Sequence, residues 1–273
     1  TRMIFELRKQ LVIELPLGTI FKFPTIKAFA KEIERVQSGD AVALPSTSGA
    51  SQDETTEETK TADYYKDAQE LSEKSLKSSY NSKTEIGKND TINFFVTGAT
   101  GFLGSFIVSD LLSRVSNIKL FAHVRAADEA KGFERVKKAG VTYGNWKNSF
   151  ESSLEVVLGD LSKEQFGLDN EKWSYLTENI DVIIHNGALV HWVYPYDKLR
   201  DANVIGTVNV LNLAATGKAK YFSFVSSTSA LDTQHFVELS DKLISEGKAG
   251  IPEADDLQGS AYGLGSGYGQ SKW

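Results

Sequence analysis

Tyr268 and Lys272 stand four residues apart in the run GYGQSKW. On a helix that spacing puts both side chains on one face. An ammonium beside a phenol favours the phenolate and lowers the tyrosine pKa, so such a pair could pass a proton near neutrality. A hydroxyl at the same place could orient a carbonyl, and FVSSTSAL offers Thr228 or its neighbour Ser227. Tyr262 has no such partner, because Ser266 rather than a lysine lies four residues on. Tyr-x-x-x-Lys alone is common, and most such pairs are solvated helix faces. Its weight comes from what precedes it.

What precedes it is NFFVTGATGFLGSF, residues 93–106, an apolar run that enters Gly98, Gly101 and Gly104. Where such a turn follows a strand and opens a helix, amide N–H groups and the helix dipole can hold a pyrophosphate. Small residues let the backbone approach the phosphates, and Gly104 lets helix and strand pack closely. Thr100, Phe102 and Leu103 belong to the same turn and are expected to face the cofactor with the glycines. The second strand ends in AHVRAADEAKGFERV. An NAD-selective fold often carries an acid there, whereas this chain has Arg125 and, one helix start later, Arg135. Guanidinium groups suit a 2′-phosphate, so NADP is the expected cofactor. A surface salt bridge is the plainer use of Arg125.

GDL places Asp160 and Leu161 at the end of a third strand, and HNGA places Asn186, Gly187 and Ala188 at the end of a fourth. Strand ends line the ligand crevice of such a fold. Asp160 is expected near the adenine, and Gly187 and Ala188 leave room for a ribose. The four histidines, His123, His185, His191 and His235, lack metal-ligand spacing and read as structural or surface residues, so no metal is expected. His191 and Trp192 are candidates for touching substrate.

These residues need a scaffold. TINFFVT, NIKLFAHV, LEVVLGD, IDVIIHN and KYFSFVSS read as strands. Between them FIVSDLLSRV, GFERVKKAG, EKWSYLTEN and NVIGTVNVLNLAATG read as helices. Strands alternating with helices predict a doubly wound parallel sheet of the Rossmann type over residues 91–273, because parallel strands need crossover helices.

Upstream, residues 1–37 are amphipathic. Ile4, Leu7 and Leu11 recur at helical spacing, and Thr25, after Pro24, is a plausible cap for a helix with Ile26, Phe29, Ala30 and Ile33 on one face. Residues 38–62 are rich in Ser, Thr, Gly and acids, so they are expected to be a disordered linker. That linker is extended to residue 90, with one possible helix in DYYKDAQELSEKSL and loop composition in SSYNSKTEIGKND.

Composition narrows the partners. A net charge of −6 disfavours nucleic acid. The absence of cysteine excludes disulfides, thiolate metal sites and cysteine nucleophiles, and it fits a reducing, cytoplasmic compartment. No apolar run reaches the roughly 18 residues needed to span a bilayer, so no membrane partner is expected.

VTGATGFLG, VRA…GFERV, GDL, HNGA, YDKLRDANVIGT and GYGQSKW together resemble the thioester reductase domains of the extended short-chain dehydrogenase/reductase superfamily. Residues 1–37, with LPLGTIFKFPTIKAFA, resemble the second half of a phosphopantetheine carrier domain. Carrier, linker and reductase in this order resemble the aminoadipate reductases of fungal lysine biosynthesis.

The resemblance implies an NADPH-dependent reduction of a carrier-tethered 2-aminoadipyl thioester, with an adenylation domain upstream. It implies Gly98, Gly101 and Gly104 at the pyrophosphate, Arg125 and Arg135 at the 2′-phosphate, and Asn203 beside the active site. Thr228, Tyr268 and Lys272 become the reducing triad, with Ser227 one position away, and Tyr268 and Lys272 also reach the cofactor. The serine that bears phosphopantetheine would fall just upstream of Thr1, and the substrate-binding portion beyond Trp273. A truncated sheet domain of this kind is not expected to catalyse alone. Other extended reductases, for fatty acyl groups, carboxylic acids or sugars, are the alternative enzymes. A non-catalytic NADP sensor is the alternative from another class, and the retained Tyr268–Lys272 pair argues against it.

Overall fold

The computed structural model describes residues 25–37 and 63–273, with Leu7, Gln10, Leu11, Ile13, Thr19 and Phe23. The expected linker at 38–62, Ile4 and Pro24 lie outside the described residues. The chain divides into two compact units, residues 1–58 and 59–273.

In the first unit Leu7 and Leu11 are helical, as their spacing predicts, and so is Gln10. Helix α1 (Ile26–Gln37) is capped by Thr25, whose Oγ1 accepts the Ala28 N–H at 3.2 Å. Phe29 is buried, and Leu7, Ile13, Phe23, Ile33 and Val36 pack with it. Ile26 and Ala30, expected on the same face, are exposed. The apolar stripe runs instead through Phe29, Ile33 and Val36, one turn further along.

The second unit opens with helix α2 (Tyr64–Lys74) and strand β1 (Ser79–Lys83). Strand and helix then alternate through β2 (Ile92–Thr97), α3 (Phe102–Arg114), β3 (Ile118–Val124), α4 (Glu129–Thr142) and β4 (Leu154–Leu158). Next come α5 (Asn170–Asn179), β5 (Val182–His185), α6 (Tyr196–Arg200), α7 (Gly206–Ala214), β6 (Thr216–Ala219), β7 (Tyr221–Phe224), α8 (Gln234–Ser245) and α9 (Gly267–Lys272).

Five strands form one sheet in the order β4-β3-β2-β5-β7, and every pairing is parallel. This is the expected doubly wound arrangement. The side-chain period of two sends Phe94 and Val96 to one face, where they pack with Val108 and Val136 of the α3–α4 layer. Phe95 goes to the other face with Leu176 and Val210 of the α5–α7 layer. Strand order reverses between β2 and β5, and a crevice opens at their carboxyl ends.

Two sequence expectations fail in this unit. Residues 79–83, read as loop, form β1, which pairs in parallel with β6 from Ser79–Thr216 to Lys83–Ala219. All five side chains of β1 are exposed, so its pairing is a backbone matter and leaves no apolar alternation to read. Residues 63–76, read as a possible helix within the linker, do form helix α2 over Tyr64–Lys74, but it is folded onto the sheet unit instead of belonging to a linker. Tyr64 is buried, donates its hydroxyl to the Ser260 carbonyl at 2.8 Å, and meets Trp273 edge-on at 5.4 Å. Asp67 accepts two hydrogen bonds from Arg200, at 2.6 and 2.7 Å, and one from the Tyr196 hydroxyl. The Tyr64 partner lies 196 residues away in sequence, so local composition does not reveal it.

Candidate active site

The glycine turn is built as its sequence suggests. Gly98 has φ +71°, in the left-handed region that a side chain disfavours, and Gly101 donates its N–H to the Gly98 carbonyl at 3.1 Å. A side chain on Gly104 would land on the Gly98 carbonyl, so this glycine allows α3 to approach the turn. The first turn of α3 therefore opens onto the crevice with its amide groups free of side-chain caps.

The crevice has a volume of about 480 Å³. Twelve of the predicted residues line it: Gly98, Thr100, Gly101, Phe102, Leu103, Arg125, Arg135, Asp160, Leu161, Asn186, Gly187 and Ala188. Arg125 and Arg135 are exposed at its edge, and Arg135 donates to the Arg125 carbonyl. Asp160 Oδ1 accepts from the Ser162 N–H and hydroxyl, which hold its carboxyl below the usual range. Arg125 also acts on this acid, its charge helping to hold the Asp160 carboxyl ionised. A left-handed glycine, a helix start, small residues at two strand ends and two exposed guanidinium groups fit a dinucleotide.

Gly104, Asn203, Tyr268 and Lys272, all expected to touch cofactor, do not line this crevice. Gly104 packs the helix. Asn203 is buried in a wide helical turn, Asp201–Ile205, that joins α6 to α7. Its Oδ1 accepts the Leu189 N–H at 2.6 Å, and its Nδ2 donates to the Leu189 carbonyl at 3.1 Å and to Ser271 Oγ at 2.9 Å.

His185 is fully buried and joins the same framework. Thr207 donates to the Asn203 carbonyl at 2.6 Å, so its oxygen is left to accept His185 Nε2–H at 3.0 Å. Nδ1 then accepts from Thr97 at 2.7 Å, and Thr97 accepts the Gly187 N–H at 2.8 Å. One hydrogen-bond chain thus runs from crevice-lining Gly187 to Asn203. Burial and the Lys272 charge hold His185 neutral, its pKa pushed down to about 3.

Tyr268 and Lys272 share the short helix α9. A side chain on Gly267 would strike the Tyr194–Tyr196 backbone, and one on Gly269 would lie 2.6 Å from the Ser229 carbonyl. Glycines on both sides of Tyr268 therefore let α9 sit tightly between two segments. Lys272 is buried, donates to the Val225 carbonyl at 2.8 Å, and lies 4.6 Å over the Phe224 ring. Burial lowers its pKa to about 8. The expected lowering of the Tyr268 pKa does not occur. Lys272 is turned to Val225, and burial raises the phenol above its ordinary value of 10.0.

Ser227 Oγ accepts the Ser229 N–H and donates to Ser229 Oγ, so it caps the turn Thr228–Leu231. Thr228 is exposed and lines a separate cleft of about 380 Å³ with Leu231, Asp232 and Phe236. The turn bearing Thr228 packs on α9 through Ser229 and Gly269.

The sequence reading missed several residues here. His123 lines the crevice; burial pushes its pKa down to about 4, and its Nε2 is buried without a hydrogen-bond partner. Leu189, Val190 and Ala202 also line it. Gly267 and Gly269 were legible as a pair around Tyr268, but their role depends on backbone from other segments.

The profile of an NAD-binding family described as "Male sterility protein" matches residues 96–273. The chain belongs to this family. Like other members of this NAD-binding family, it has a nicotinamide dinucleotide as its class of cofactor, in keeping with the crevice. Its relatives include L-2-aminoadipate reductase large subunit of Candida glabrata, 58% identical over 282 residues. L-2-aminoadipate reductase of Saccharomyces cerevisiae is 59% identical over 283 residues. Each comparison covers 100% of this chain and 20% of the relative, so the chain spans about a fifth of their length. The terminal R domain from the myxalamid PKS-NRPS biosynthetic pathway matches 68% of this chain and 44% of that one, with 35% identity and a TM-score of 0.59. The sheet is thus that of a reductase domain of the extended short-chain dehydrogenase/reductase type.

Proposed function

We propose that the chain is the cofactor-binding part of an NADPH-dependent thioester reductase that releases a carrier-bound 2-aminoadipyl group as its semialdehyde. The names of the full-span relatives support the substrate. The observation that carries the chemistry is one loop joining crevice to phenol. Gly187 and Ala188 line the crevice, and Trp192, a few residues on, lies ring to ring 6.3 Å from Tyr268.

Gly98, Gly101 and the first turn of α3 hold the pyrophosphate, and Arg125 and Arg135 hold the 2′-phosphate that selects NADP. When bound, the reduced cofactor supplies a hydride to the thioester carbonyl carbon. Tyr268 holds a proton at the carbonyl oxygen as negative charge develops there, and Thr228 or Ser227 hydrogen-bonds the same oxygen. Lys272 keeps a positive charge one helical turn from the phenol. The carbonyl then re-forms, the carbon–sulfur bond breaks, and the thiol leaves with a proton. One thioester, one reduced cofactor and one proton yield one aldehyde, one thiol and one oxidised cofactor.

Residues 1–37 belong in this reading to a carrier domain whose phosphopantetheine serine lies upstream of Thr1. Residues 38–62 form its tether, an adenylation domain lies further upstream, and the enzyme works in the cytoplasm. A tether suits an acyl group that must visit separate sites, because it sets the local concentration at the reductase. The test is the full-length enzyme supplied with 2-aminoadipate, ATP and NADPH. The reading expects one semialdehyde, trapped as its hydrazone, for each NADPH oxidised. Oxidation without aldehyde, or equal use of NADH, would contradict it.

A further inference from the structure

We propose that Trp192 is the platform on which the pantetheine side of the thioester lies while its carbonyl meets Tyr268. The proposal rests on the thioester reductase reading. The run Leu189–Tyr194 shows apolar side chains to solvent: Val190 is 58% exposed, Trp192 72% and Val193 50%. An apolar patch of this kind at the mouth of a site marks a surface that something covers.

The loop is held in place while its side chains are presented. At one end Leu189 exchanges two hydrogen bonds with the Asn203 side chain. At the tip His191 Nδ1 accepts the N–H groups of Val193 and Tyr194, at 3.3 and 3.2 Å, and its ring stacks on Tyr194 at 3.5 Å. Trp192 stands between these fixed points with its ring 6.3 Å from that of Tyr268, tilted by 52°.

Charge selects the occupant. Residues 189–195, LVHWVYP, contain no Lys, Arg, Asp or Glu. Phosphates of a dinucleotide would seek the guanidinium groups at the other side of the crevice. The aminoadipyl end carries an ammonium and a carboxylate, and the loop offers no Asp, Glu, Lys or Arg to pair with either. The pantetheine arm is a neutral chain of amides and methylenes, and an aromatic face covers such a chain well. Its sulfur joins it to the carbonyl that Tyr268 must reach.

The experiment uses full-length enzyme with two soluble donors, 2-aminoadipyl-pantetheine and the S-methyl thioester that lacks the arm. Trp192→Ala should raise KM for the pantetheine thioester by about tenfold, as expected for roughly 50 Å² of apolar surface left uncovered. NADPH affinity should hold, as should KM for the S-methyl thioester, and Trp192→Phe should restore most of the loss. An unchanged KM, or an equal rise for both thioesters, overturns the platform while leaving the reductase reading standing. Failure of the unmodified enzyme to reduce either thioester overturns the reductase reading and the platform with it.

Discussion

Asn203 donates through Nδ2 to Ser271 Oγ at 2.9 Å, and Ser271 Oγ donates onward to the Tyr268 carbonyl at 2.9 Å. The same amide holds Leu189, so one side chain ties the crevice loop to the helix of the phenol. Asn203→Ala leaves the Leu189 N–H and carbonyl without these partners in a part-buried place. The expected cost is about 1–3 kcal/mol of stability. Turnover should fall more than NADPH affinity, because Tyr268 moves and the glycine turn does not. Thermal unfolding, NADPH titration and turnover of the full-length enzyme check this; a variant matching the unmodified enzyme in both stability and turnover would remove Asn203 from the framework.

Asp67 tests whether α2 belongs to the reductase unit. Arg200 holds its carboxyl below the usual range, and the pair is largely shielded from solvent. Asp67→Asn weakens the contacts to Arg200 and Tyr196 together. A loss of about 1–3 kcal/mol is expected, read as a lower melting temperature. The carboxylate stabilises the fold above its unfolded pKa, and this support fades as pH falls through the lowered folded value. The melting difference between variant and unmodified protein should therefore shrink in acid. A difference independent of pH would contradict the assignment.

Arg125→Ala should weaken NADPH binding by roughly tenfold or more and leave NADH binding almost unchanged. A charge-assisted contact is worth about 1.5–3 kcal/mol, and only NADPH offers the 2′-phosphate. Fluorescence titration of both cofactors decides it, and equal losses would remove Arg125 from that role.

Two buried histidines set an acid limit. His185 and His123 are held neutral, with pKa values near 3 and 4 against 6.5 in the open chain. Below pH 6.5 the unfolded chain takes up protons that the folded one refuses, so stability falls as pH drops from 6.5 towards 4. A tenfold difference in proton affinity between the two states corresponds to about 1.4 kcal/mol. Denaturation midpoints across that range should fall steeply, and less so in His185→Gln. A flat profile would mean that the histidines are solvated.

The sheet and the crevice were legible because their signals are local. Apolar strands alternate with helices, and glycines and small residues mark strand ends in chain order. What the sequence hid depends on distant partners. Strand β1 pairs through its backbone with exposed side chains. Tyr64 meets Ser260 and Trp273 near the far end of the unit, Asp67 meets Tyr196 and Arg200, and Asn203 takes its meaning from Leu189 and Ser271. The spacing of Tyr268 and Lys272 fixed a shared helix but not the direction of the ammonium, which the Val225 carbonyl claims.

The central claim is that Tyr268 holds the proton for thioester reduction. Tyr268→Phe keeps the ring beside Trp192 and removes only the hydroxyl. The measurement is single-turnover NADPH oxidation by full-length enzyme carrying pre-loaded 2-aminoadipyl thioester, which separates the hydride step from loading and release. The account predicts unchanged NADPH affinity and a rate lower by about 10²–10⁴-fold. Reduction at the unmodified rate would show that the proton comes from elsewhere.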